Sequence, residues 1–107
     1  MKIIETLKFK KEKVFAAELA EQLARDVSPE LMQKRRKALS VNKITRLLEK
    51  TYTKAQTFQQ ENSMGFFRRS IFVNAFQWEL KSRNYPEDFS TMATEGLVIS
   101  LMKKPTQ

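Results

Sequence analysis

Between Val41 and Asn62 the small and apolar residues return in steps of three and four: Val41, Ile44, Leu48, Thr51, Ala55 and Phe58, widened by Leu47 and Tyr52. This spacing keeps one face of an α-helix apolar and predicts a helix over the whole segment. Lys43, Arg46, Lys50 and Lys54 repeat at the same spacing. At 100° per residue they fall within an arc of about 80°, centred about 125° from the apolar face. One side of this helix is built to pack, and another presents cations.

The same reading divides the rest of the chain. Residues 2–9 are β-prone and are read as a strand, with a helical start as the alternative. Lys10 to Asp26 is read as a helix. Phe15, Leu19 and Leu23 face inward at i, i+4, i+8 with Val14 alongside, while Glu12, Glu18 and Glu21 stay outside. Ser28-Pro29-Glu30 is a cap, a first helical position and an acidic first turn, so a short helix is expected from there to about Leu39. Ser40 caps the next one. After the break Asn62-Ser63-Met64-Gly65, the segment Phe66 to Arg83 is apolar nearly all round. Phe67, Ile71, Ala75 and Trp78 mark one side, and Phe66, Phe72, Val73, Phe76 and Leu80 the other. The polar line Ser70, Asn74, Gln77, Lys81 is narrow. A helix of this kind is normally central, and burial is expected for Phe67, Ile71 and Trp78 together with Phe15, Leu19, Leu23, Ile44 and Leu48. Pro86 closes it. A short helix capped by Asp88 or Ser90 is expected to end near Gly96, and residues 97–102 read as a strand able to pair with 2–9 or as a continued helix.

The fold class that follows is mainly α: one domain over 1–107, four to five packed helices, with a minor two-stranded β element from the terminal segments. Two Gly and three Pro in 107 residues are too few for a turn-rich sandwich or barrel. No run approaches the ~18 apolar residues of a membrane span. The charged start lacks the apolar stretch of a secretory signal. A cytoplasmic location is expected, or a nuclear one in a eukaryote.

Charge changes the picture more. Twenty Lys and Arg face twelve Asp and Glu, a net +8, and residues 27–56 alone hold eight basic and two acidic groups. Lys34, Arg35, Arg36 and Lys37 adjoin the stripe Lys43, Arg46, Lys50, Lys54, with Asn42, Thr45 and Gln56 as neutral donors nearby. Cations at ~6 Å spacing on a rigid helix can track successive phosphates, and arginines can grip them bidentately. Residues 31–48 resemble a helix-turn-helix unit, with Leu39, Ile44 and Leu47 where its packing residues fall. Ala38 replaces the usual turn glycine, and Lys34 and Lys37 stand at packing positions, so a plain helical hairpin is the preferred explanation. Arg68 and Arg69 beside Phe66 and Phe67 form a secondary candidate, since cations next to aromatics suit base stacking. The competing explanation makes the phenylalanines core and the arginines its rim.

Catalysis has few residues to use. There is no His and no Cys, which removes the usual general base, thiolate nucleophiles and the commonest metal ligands. The two glycines are too far apart for a phosphate loop. No catalytic residue, metal site or cofactor is assigned. The leading expectation is a non-enzymatic accessory or regulatory protein that binds DNA or RNA through the 34–54 surface. The alternative is an adaptor or regulatory subunit that binds an acidic protein, with a homodimer formed through the second apolar side of the Phe66–Leu80 helix.

Overall fold

The computed structural model describes residues 9–34 and 41–103, with the backbone alone at 33–34 and 41–43. Among them are five α-helices: α1 Lys10–Asp26, α2 Pro29–Lys34, α3 Val41–Glu61, α4 Phe66–Ser82 and α5 Glu87–Met102. The described residues contain no strand. The chain is mainly helical, as the periodicities require, but the two-stranded terminal element is not formed. Residues 97–102 are the last turns of α5, and residues 2–8 lie outside the described residues. The helix continues because Phe89, Ala93, Leu97 and Leu101 recur every fourth residue and are all buried; α5 needs its full length to cover the core.

Local chemistry fixes several boundaries. The N–H of Leu31 donates to Ser28 Oγ at 3.1 Å, so Ser28 caps α2, with Pro29 in its first position. The expected end of this helix at Leu39 and the Ser40 cap lie outside the described residues. Helix α5 starts earlier than expected: its N-cap is Pro86, two residues before Asp88 and four before Ser90. Glu87 and Asp88 occupy its first turn, while Ser90 is wholly buried inside it. The α4–α5 connection closes through Asn84 at φ 73°, a left-handed conformation that asparagine tolerates better than most residues. Tyr85 then turns inward, and its hydroxyl donates to the carbonyl of Val27.

Helices α1 and α4 run parallel: Glu12 meets Arg68, Phe15 meets Phe72, and Val27 meets Tyr85. Helices α3 and α5 are parallel too. Tyr52 Oη donates to Ala93 O (2.8 Å), Gln56 Nε2 to Ser100 O (2.9 Å) and Gln59 Nε2 to Leu101 O (3.0 Å). Helix α5 packs on both α3 and α4, and α1 packs on α4 and α3, which closes the bundle. Its centre holds Leu19, Leu23, Leu48, Phe72, Phe76, Leu80, Phe89 and Leu97. Phe15, half-buried, stacks on Phe58 with centroids 4.1 Å apart.

Three placements differ from the periodic reading. Val14, set alongside the inward residues of α1, is exposed. Glu12, expected outside, is fully buried, because the first turn of α1 lies against the first turn of α4 and Arg68 Nε reaches Glu12 Oε2 at 3.3 Å. Helix α4 is also rotated about its axis relative to the expectation. Phe72, Phe76 and Leu80 form the buried side, Ile71 is half-buried, and Phe67 and Trp78 are 77% and 65% exposed. The polar line decides the rotation: Ser70, Asn74 and Lys81 face solvent, Phe67 and Trp78 flank them, and Phe72 and Phe76 lie opposite.

Candidate functional site

The basic surface is present only in part. Arg35, Arg36 and Lys37 lie outside the described residues, as do the side chains of Lys34 and Lys43; the turn of the helix-turn-helix resemblance lies there too. Of the remaining stripe, Arg46 and Lys50 are exposed and Lys54 is half-buried. None of the three is tied to a described residue by a hydrogen bond or ion pair. This distinguishes Arg46 from the other described arginines. Arg25 pairs with Glu21 and Arg83 with Glu79, while Arg68 and Arg69 are engaged as follows. Gln56, expected among the neutral donors of this surface, instead donates to α5.

Arg68 and Arg69 are directed into the fold. Arg68 pairs with buried Glu12 and donates to Asn62 O, and Arg69 Nη1 donates to Gln59 Oε1 at 3.3 Å. They hold the start of α4 against α1 and α3. The rim explanation was therefore right about the arginines, but its other half fails. Phe66 and Phe67 are 70% and 77% exposed and meet edge to face, with centroids 5.8 Å apart.

The outer face of α4 is the second surface, and its composition is unusual for a chain with 30% charged residues. From Phe66 to Trp78 its exposed side chains are Phe66, Phe67, Ser70, Asn74 and Trp78. The two charged side chains of that span both point away into the contacts just described. Phe67 and Trp78 are eleven residues apart, about 16 Å along the axis and about 20° in azimuth, so they stand at two ends of one stripe. Sequence reasoning placed these residues in the core. The signal that locates them is the polar line, because Phe67 and Trp78 lie within about 60° of Asn74 and Lys81 around the helix and face the same solvent.

A third feature is an open groove of about 1060 Å³ between α3 and α5, floored by Leu48, Tyr52 and Gly96 and walled by Ile44, Met92 and Ile99. It lies on the flank of α3 away from Arg46 and Lys50. Among the described residues no three Asp or Glu converge as a metal site, and no described helix is long and apolar enough to cross a membrane. No protein-family model, curated protein or solved structure matches the chain.

Proposed function

We propose that the protein is a non-enzymatic interaction module that meets a protein partner through the outer face of α4. The observation that carries this reading is the exposure of Phe67 and Trp78 on a helix whose opposite side is wholly enclosed. Interface cores are enriched in aromatic residues and depleted of charge, and energetic hot spots are enriched in Trp. The stripe has that composition, while the rest of the chain supplies the net +8 that keeps it apart from nonspecific contacts. The test is a photo-crosslinking residue at position 67, with position 61 as an exposed control, in cells of the source organism. Protein adducts are expected from 67 and not from 61. No protein adduct from 67 ends this reading.

Nucleic-acid binding is the second reading, favoured by exposed Arg46 and Lys50 and half-buried Lys54 on α3, which have no partner among the described residues, within the basic stretch 27–56. About four phosphate contacts would give a log–log salt slope near −4 on duplex DNA. Replacing Arg35, Arg36, Arg46 and Lys50 together by Gln flattens that slope, whereas a protein that binds neither duplex nor single strands at low salt removes the reading.

A further inference from the structure

The apolar contact offered by the outer face of α4 is small. Phe67 and Trp78, at 77% and 65% exposure, present about 300 Å² together, well under the ~800 Å² per partner of a standard interface. Phe66 lies about 100° from Phe67 around the helix and does not extend the stripe. A face of this size suits a short segment of a partner rather than a second globular surface, and charge has to supply what apolar area does not.

The free charge beside the stripe is positive at both ends. Lys81, exposed, lies about 60° from Trp78 around α4. Lys13, exposed on α1, lies about 40° from Ala17, whose carbonyl accepts a hydrogen bond from Arg83 of α4. Lys13 is therefore on the flank of α1 that borders α4. It follows Glu12, which meets Arg68, so it stands at the Phe67 end. Neither ammonium is tied to a described residue by a hydrogen bond or ion pair. Nearby carboxylates are engaged elsewhere, Glu12 by Arg68 and Glu79 by Arg83; Glu87, in the first turn of α5, is the exception at the Lys81 end. At longer range the chain carries +8, a field that draws in an acidic segment and turns a basic one away.

We infer that the occupant of this face is an acidic segment of another protein, with apolar side chains seated on Phe67 and Trp78 and carboxylates beside them that meet Lys13 and Lys81. This rests on the proposed role of the face and names the chemistry of the partner. Trp78 itself reads the charge. Relative to their action on free tryptophan amide, iodide is expected to quench it more strongly than caesium, and Lys81→Glu narrows the difference. Equal or stronger quenching by caesium overturns the acidic partner. A displayed library of random peptides tests the occupant, selected on the protein with the Trp78→Ala variant in excess as competitor. The expected survivors carry Asp and Glu around apolar residues and bind more weakly as salt rises. They bind Lys81→Glu about tenfold more weakly, since an exposed pair is lost and then reversed. Both substitutions are at exposed positions, and the helical signal is expected to stay unchanged. Survivors that are neutral or basic, or that bind Lys81→Glu as tightly, overturn the acidic partner and leave the proposed role standing. A selection that yields no peptide preferring the chain over Trp78→Ala overturns both.

Discussion

The ring of Tyr52 lies directly over Gly96, and its hydroxyl donates to the carbonyl of Ala93 one turn earlier on α5. A Cβ at position 96 would stand 2.9 Å from Tyr52 Cζ and 3.0 Å from Cε2. Glycine is therefore required here for close approach, in the middle of a helix where it costs about 1 kcal/mol in propensity relative to alanine. The contact sets the spacing of α3 and α5 and floors the groove between them.

Gly96→Ala tests that contact. Intrinsic propensity alone would stabilise the variant, whereas the overlap with a ring held by a hydrogen bond costs about 1–3 kcal/mol. The expected outcome of denaturant unfolding is a net loss of stability. The loss shrinks in a Tyr52→Phe background, where the hydroxyl nearest the new methyl is gone. A stabilised Gly96→Ala protein would show that the helices part freely.

The Glu12–Arg68 pair yields a prediction that distinguishes structure from binding. Glu12 is fully buried and Arg68 is the cation within reach. Arg68→Met strands a buried carboxylate, and the expected destabilisation is about 3 kcal/mol, towards the low end for a broken buried pair because Arg68 is partly exposed. Arg46→Met, with no described partner, is expected to stay within about 0.5 kcal/mol. Equal effects of the two substitutions in thermal unfolding would contradict the pairing.

Both tyrosines of the chain are shifted the same way. Burial pushes the phenols of Tyr52 and Tyr85 up from 10.0 to about 12; for Tyr85, Arg83 opposes and Asp26 reinforces that effect. The fold therefore favours the protonated phenols. Their contribution to stability is complete below pH 10 and is lost as pH rises from 10 to 12. Phenolate absorbance is expected to rise near pH 12, or earlier only together with unfolding. Titration of a tyrosine near pH 10 in a protein that remains helical would place it in solvent.

Much of the fold was legible in the sequence, for reasons particular to each segment. Helix α3 carries a strong periodic contrast, and Ser28-Pro29-Glu30 is a start signal whose chemistry is local, so both appear where expected. Glu12 was misread because pattern alone cannot show that an acidic residue in one first turn will meet an arginine in another. Residues 97–102 looked like a strand because a short apolar run has no period of its own; the rows of α5 emerge only when it is counted from Phe89. Helix α4 was turned the wrong way because hydrophobicity is almost uniform around it, leaving four polar residues to set its orientation. Of the candidate basic site, Arg46 and Lys50 are exposed and have no partner among the described residues, while Arg68 and Arg69 contact Glu12, Asn62 and Gln59, which pattern alone does not show.

The orientation of α4 predicts opposite responses to two similar truncations. Phe76→Ala, in the core, should cost about 3–5 kcal/mol. Trp78→Ala, two residues on, should change the unfolding free energy of dilute protein by less than about 0.5 kcal/mol. A large loss from Trp78→Ala would return that residue to the core and remove the α4 surface with it.

Fluorescence of Trp78, the sole tryptophan of the chain, tests the central claim most directly, because the residue reports on the proposed contact without a label. In dilute protein the account predicts the emission of a solvent-exposed indole, open to an ionic quencher. A blue-shifted and protected Trp78 at the lowest concentration, unchanged by concentration or salt, would contradict the account.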